Sequence, residues 1–341
     1  MTTRTEIGSI GEFGLINRLK EKFSLENSSS IKGIGDDAGV IDIGDHYLLV
    51  STDILIEGIH FDLSFMPLKH LGYKAVAVNV SDIAAMNGLA EQITVTIGIS
   101  NRFSVEAIEE IYEGIKMACA NYKVDLIGGD TSSTTGGLIL SITAVGRVAK
   151  DKIAYRHTAS ENDIICVTGD LGGAYVGLQL LHREKEVFLS NPEMQPELEG
   201  KSYIIGRQLK PEARTDIIHE LADLHIVPTS MIDVSDGVAS ELFHLCANSN
   251  LGAVIYEDHL PIDGVTFETA VEFNLDPITC ALNGGEDYEL LFTISRDDFE
   301  KIKKHADIFY IGFMTKKENG IRMKLKSGSE IPLQAQGWKH F

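Results

Sequence analysis

Seven aspartates, set in five short glycine- or hydroxyl-bearing segments, constrain this chain more than any other feature. The segments are Gly35-Asp36-Asp37, Ser51-Thr52-Asp53, Ser81-Asp82, Gly128-Gly129-Asp130 and Asp233-Val234-Ser235-Asp236-Gly237. Carboxylates repel one another, so a fold that gathers several into one pocket is costly unless cations occupy it. Hard oxygen donors suit Mg2+, which keeps part of its water shell and usually meets substrate phosphates. The pattern predicts a metal-dependent enzyme that handles phosphate groups.

At 341 residues the chain is long enough for about two domains, each with its own core. The composition turns polar after Val148, so the expected division is 1–150 and 151–341. A net charge of −20 argues against nucleic-acid or anionic-membrane partners, both of which reward basic patches. An acidic protein that binds ATP then needs metal bridges or local arginines. Residues 1–10 lack an apolar signal-peptide core, and no apolar stretch approaches the roughly 18 residues of a membrane span. Cys119, Cys166, Cys246 and Cys280 lie far apart among apolar neighbours and read as small buried hydrophobes. A reduced, cytoplasmic protein is expected.

Apolar runs alternate with helical ones. Strands are predicted at 46–51, 92–99 and 138–148, each rich in Val, Ile, Leu and Thr. A helix is predicted over 68–86, stopped by Asn87-Gly88, and a second from the N-cap Ser104 to Tyr122. A short strand at 125–129 delivers Asp130. The second half opens with a strand at 164–168, then the glycine-rich turn 169–173 and a helix. Residues 183–203 read as an exposed connection. Helices follow at 216–224 and 238–249, and strands at 253–256, 290–294 and 308–313. The fold class is α/β or α+β, with mixed sheets in two domains.

Strand-end loops are where open α/β sheets gather ligand sites. Asp53 and Asp130 are expected to close apolar strands, with Asp37 in a glycine-flanked loop. Asp82 is the most telling, because an ionised carboxylate in so apolar a helix is expensive to bury unless a cation meets it. Asp36 reads equally well as turn chemistry. No Walker A motif is present: Gly200-Lys201-Ser202 lacks the earlier glycine, where Gln195 stands. The turn 169–173 lacks the full dinucleotide spacing. His60 follows Ser51-Thr52-Asp53 closely, and no nucleophilic triad stands out.

Longer segments around these turns resemble the thiamine-monophosphate kinases, in the ATP-binding family that includes aminoimidazole ribonucleotide synthetase. They include Gly11-Glu12-Phe13, Gly33-Ile34-Gly35-Asp36-Asp37, the run from Lys74 to Met86, and Asn283-Gly284-Gly285-Glu286-Asp287-Tyr288-Glu289-Leu290. The match runs nearly end to end. It implies ATP-dependent phosphorylation of thiamine monophosphate to thiamine diphosphate by direct transfer. It also implies a homodimer whose N-terminal sheets join into a barrel. By that resemblance Asp37, Ser51, Thr52, Asp53, Asp82, Asp130, Asp233 and Asp236 hold Mg2+ ions, with Asp53, Asp82 and Asp130 catalytic. Tyr122, Gly129, Asp130, Arg156 and Ser235 would contact ATP, and His60, Glu286 and Trp338 thiamine monophosphate.

Other members of the family stay in view. A selenophosphate synthetase would carry a reactive cysteine near its start, and a hydrogenase-maturation relative would end in cysteine where this chain has Phe341. A purine-biosynthesis synthetase is the enzymatic alternative, against which the segment around Glu286 speaks. A catalytically silent Mg2+- or Ca2+-binding homologue is the non-enzymatic one.

Overall fold

A computed structural model describes residues 6–335. Its first half contains α1 (Gly11–Lys20), β1 (Ser30–Lys32), β2 (Gly39–Asp42), β3 (His46–Ile56), α2 (Leu68–Ala85), β4 (Leu89–Ile99), α3 (Val105–Tyr122), β5 (Asp125–Ser133) and β6 (Ile139–Ala149). The second half continues with β7 (Ile164–Thr168), α4 (Gly173–Ser190), α5 (Ser202–Leu209), α6 (Thr215–Asp223), β8 (Ser230–Asp233), α7 (Val238–Ser249) and β9 (Leu251–Tyr256). It ends with α8 (Gly264–Glu272), α9 (Pro277–Asn283), β10 (Leu290–Ile294), α10 (Arg296–Ile302), β11 (Ile308–Lys316), β12 (Ile321–Lys324) and β13 (Glu330–Pro332).

Two mixed sheets result. The first has the order β1-β2-β3-β6-β4-β5, antiparallel except for the parallel pair β4–β5. The second runs β13-β12-β9-β11-β7-β10-β8, antiparallel except for β9–β12. The first sheet is open, and no barrel closes within the described residues.

Strand periodicity decides which face of the first sheet is covered. Alternate residues point the same way, so Leu49, Ser51 and Leu55 of β3, Ile93, Val95 and Ile97 of β4, and Leu140, Ile142 and Ala144 of β6 are buried. Helix α2 lies on that face and is buried on almost every side. It packs on the sheet and α3, and against β8 and α6 of the second half. Asn87, at a left-handed φ of 57°, ends it. The Ser104 hydroxyl caps α3 by accepting from the Ala107 N–H (3.3 Å).

Two predicted strands run longer than expected. β3 continues to Ile56 because β6 pairs with it over eleven positions, so Asp53 sits inside the strand. β5 continues to Ser133 on its parallel pairing with β4, so Asp130 is likewise internal. Polar residues in both segments imitate turns, and ladder bonds override them. Residues 183–190 belong to α4, where Glu184 is buried and accepts from Arg183 and the Glu197 N–H; the exposed connection is 191–201. All four cysteines are free thiols, three of them buried.

Helices α2 and α3 touch backbone to backbone through paired glycines. A Cβ on Gly72 would lie 2.0 Å from the Ile111 carbonyl oxygen, and one on Gly114 1.9 Å from that of Lys69. No other residue fits without separating the helices. Gly114→Ala is therefore expected to destabilise the protein by about 1–3 kcal/mol or more. The measurement is a lower urea midpoint with an unchanged m value. A wild-type midpoint would show that the helices separate freely.

Candidate active site

The last two turns of α2 lie beneath β3, and their side chains tie strand, helix and second sheet together. The Asp53 N–H donates to Asn79 Oδ1 (2.9 Å), and the Ser51 hydroxyl donates to Asp82. One residue earlier, the Ser81 hydroxyl donates to Asp233 Oδ2 (2.6 Å) at the end of β8. Arg156, just beyond β6, forks onto Asp37 with nitrogen–oxygen distances of 2.9 and 2.5 Å. The result is a compact acidic centre. One carboxylate oxygen each from Asp37, Asp82 and Asp233 lies within 4.8 Å of the others.

The electrostatics show the strain of that arrangement. Removal from water, then the Asp37 carboxylate, pushes Asp233 up to about 7. Asp82 is pushed well above the carboxylate range by removal from water, then by Asp53 and Asp233. Asp53 is raised by burial, partly offset by a hydrogen bond with Asp82. Among the described residues, Arg156 is the one cation paired directly with the Asp37 side chain. Three clustered oxygen donors with one opposing arginine fit a divalent, oxygen-preferring cation such as Mg2+.

The sequence-predicted residues separate into groups. Asp37, Ser51, Asp53, Asp82 and Asp233 converge, with Arg156 joined through Asp37. Ser235 and Asp236 follow β8 directly, where buried Glu241 of α7 accepts from the Asp236 N–H (2.9 Å) and the Ser235 hydroxyl (3.4 Å). Asp36 accepts from the Arg156 N–H (3.1 Å) and pairs with Lys32 (3.3 Å), a lock on the loop. His60 sits in the turn after β3, its Nδ1 accepting from the Ile56 N–H (3.0 Å). Thr52 is exposed and donates to the Ile142 carbonyl (3.1 Å).

Others stand apart from the centre. Gly129 and Asp130 are exposed on the edge strand β5, and Asp130 is outside the oxygen cluster. A Cβ on Gly129 would meet the Val95 carbonyl at 1.8 Å, so the close β4–β5 approach itself requires glycine there. The Tyr122 hydroxyl donates to Glu212 (2.8 Å) and accepts from the Ala213 N–H (2.9 Å). Trp338 lies outside the described residues.

Glu286 occupies a tightly wound turn. Gly285, Glu286 and Tyr288 have φ of 72°, 58° and 53°, a conformation that costs about 1–2 kcal/mol for each non-glycine residue. Backbone bonds hold it: Glu286 N–H to Ser235 O (2.7 Å), Tyr288 N–H to Val234 O (2.9 Å) and Val234 N–H to Glu289 O (2.7 Å). Asp287 accepts from the Gly172 N–H (2.7 Å) at the start of α4. Glu289 accepts from Thr168 (2.6 Å), Arg207 (2.9 Å) and Arg214 (2.6 Å). Asp287 and Glu289 thus clamp the turn, and Glu286 keeps 28% side-chain exposure.

Sequence reasoning quoted Ser81 beside Asp82 and the run from Lys74 to Met86, but gave no role to Lys74, Asn79 or Ser81 and missed Glu241. The available signal was the one used for Asp82: polar groups in the apolar run of α2. Lys74 and Ser81 stand two turns apart on one side of that helix.

Asp233 gives a pH test. Because its folded pKa is raised, the protonated form stabilises the metal-free fold. That contribution is complete below the ordinary carboxylate value and is lost as pH rises through about 7. A cation must displace the same proton, so the rise in Tm on adding Mg2+ should be larger at about pH 8 than at about pH 5. Equal shifts at both pH values would remove Asp233 from the metal set.

Residues 35–148 match the family described as AIR synthase related protein, N-terminal domain. The thiamine-monophosphate kinase of Buchnera aphidicola subsp. Schizaphis graminum is 36% identical, over 97% of this chain and 98% of that protein. That of Bacillus subtilis is 33% identical, over 97% and 99%. Among solved structures, AaThiL complexed with AMPPCP and TMP superposes with a TM-score of 0.86 at 30% identity, covering all of both chains. With the acidic centre and the clamped Glu286 turn in place, this chain belongs to the thiamine-monophosphate kinases.

Proposed function

We propose that the protein transfers the γ-phosphoryl group of ATP directly to the phosphate of thiamine monophosphate, yielding thiamine diphosphate and ADP. The observation that carries this is the convergence of Asp37, Asp82 and Asp233 beside Arg156. A relative that holds AMPPCP and TMP together supports a site for two phosphate-bearing substrates. Mg2+ held by Asp37, Ser51, Thr52, Asp53, Asp82, Asp130, Asp233 and Asp236 would neutralise and align the phosphate oxygens.

The chain's own groups do the rest. Arg156 sets positive charge beside the nucleotide phosphates, and Ser235 offers a hydroxyl from the loop after β8. Tyr122, whose hydroxyl is already tied to Glu212 and Ala213, presents its ring to the nucleotide, and Gly129 its backbone. Asp53, Asp82 and Asp130 are the catalytic carboxylates. The acceptor is a phosphate oxygen that already carries negative charge near neutral pH, so no strong base is needed. His60, Glu286 and Trp338 bind the thiamine portion. On this reading residues 1–150 form the metal, nucleotide and dimerisation domain, and 151–341 complete the site. The protein acts in the cytoplasm without nucleic-acid or membrane partners; no helix among the described residues is long and apolar enough to cross a membrane.

On this reading Asp130 is supplied by a second copy of the chain. It lies on β5, three strands from β3, about 14 Å away at the usual strand spacing. β5 has one open edge along its whole length, with Leu126 43% and Ile127 63% exposed. β3 also has an open side: among the described residues β2 pairs only with residues 47–50, which leaves 51–56 strand-paired with β6 alone. Joining β5 of one subunit to residues 51–56 of the next would satisfy both edges and close a barrel across a homodimer. Asp130 of the partner subunit then stands beside Asp53.

Mixing two dead variants tests this. Asp53→Asn and Asp130→Asn should each lack thiamine-monophosphate phosphorylation. Unfolded and refolded together, they should regain activity, because one site of the mixed dimer has both carboxylates. No recovery in a verified mixed dimer would place both residues in one subunit's site. Full activity of either single variant would remove that residue from catalysis.

A further inference from the structure

Lys74 is among the largest fully buried side chains of the described residues, with 0% exposure in the middle of α2. Burying an ammonium group is costly, and a well-packed apolar residue usually serves stability as well or better. The groups it reaches are therefore informative. Its Nζ lies 3.0 Å from each oxygen of Glu286 and donates to the Gln208 carbonyl (3.2 Å). Gln208, itself 3% exposed, donates through Nε2 to Glu286 Oε2 (2.8 Å). Two buried donors thus grip one carboxylate from behind. The grip is lopsided: the ammonium is wholly enclosed, whereas the Glu286 side chain keeps 28% exposure.

We propose that Lys74 and Gln208 are positioning residues for thiamine recognition, fixing the Glu286 carboxylate so that its outward lone pairs meet a cationic or amino group of the substrate. The inference rests on the reading of Glu286 as a substrate contact. The geometry separates the oxygens: among the described residues Oε2 is taken by both Lys74 and Gln208, whereas Oε1 is met by Lys74 alone and is the better acceptor for an incoming donor. The Glu286 backbone is fixed independently through Ser235 O, so the two donors act on the side chain. Preset in this way, the carboxylate loses little rotamer freedom when the substrate arrives.

Steady-state kinetics with ATP and thiamine monophosphate test the assignment, with a thermal melt on each variant. Lys74→Met should raise the KM for thiamine monophosphate on the order of 10-fold, while kcat and the KM for ATP change less than about two-fold. Glu286→Gln should show the same split. The double variant should be no worse than the poorer single, because Lys74 acts through Glu286. If Lys74→Met is too unstable to assay, Gln208→Leu removes the second donor without altering α2 and should reproduce the split. Multiplicative effects in the double variant, or equal rises in both KM values, would reduce Lys74 to a structural residue and overturn the proposal. So would a wild-type KM for thiamine monophosphate in the assayable variant. An unaltered KM in Glu286→Gln would remove Glu286 from the substrate site, and the positioning role with it, leaving the kinase activity in place. Absence of thiamine-monophosphate turnover by the wild-type protein would instead refute the function itself.

Discussion

Mutual repulsion among Asp37, Asp82 and Asp233 sets the terms for everything around them. Their oxygens lie within 4.8 Å of one another, and the pKa shifts of Asp82 and Asp233 register how poorly protein groups alone compensate that charge. Such a cluster survives only if surrounding packing holds it together. Each member is accordingly anchored by a directed bond: Asp37 by Arg156, Asp82 by Ser51 and Asp233 by Ser81. The neighbouring loop is fixed by Glu241 and by the backbone of the Glu286 turn. Charge that destabilises the metal-free fold is what would make the cluster receptive to a cation and, through that cation, to phosphate.

Helix α2 organises that packing. It belongs to the first sheet by sequence, yet its side chains reach β3 through Asn79 and Asp82, β8 through Ser81, and the Glu286 turn through Lys74. The acidic cluster and the Glu286 turn are thereby referred to one rigid element. Placement of a site on regular structure is more accurate than placement on loops.

Much of the frame was readable in the sequence, because its signals are local. The strand 164–168, the helix 238–249 and the strand 290–294 follow from apolar runs and flanking turn residues. The helix caps at Ser104 and Asn87 follow from residue type. The acidic turns were also legible as a set. What local chemistry could not reveal was pairing: β3 and β5 outlast their polar residues only because neighbours complete the ladder. The same limit hid the partition of the aspartates, since strand position alone puts Asp53 beside α2 and Asp130 on a distant edge. Lys74, quoted at the head of a matching run, was given no role because its partner lies far along the chain.

The glycine crossing of α2 and α3 carries a mechanical consequence. With main chains in direct contact at Gly72 and Gly114, neither helix can roll or slide over the other without collision. The pair behaves as a stiff plank beneath β3. Any adjustment elsewhere in the molecule therefore leaves this crossing unchanged.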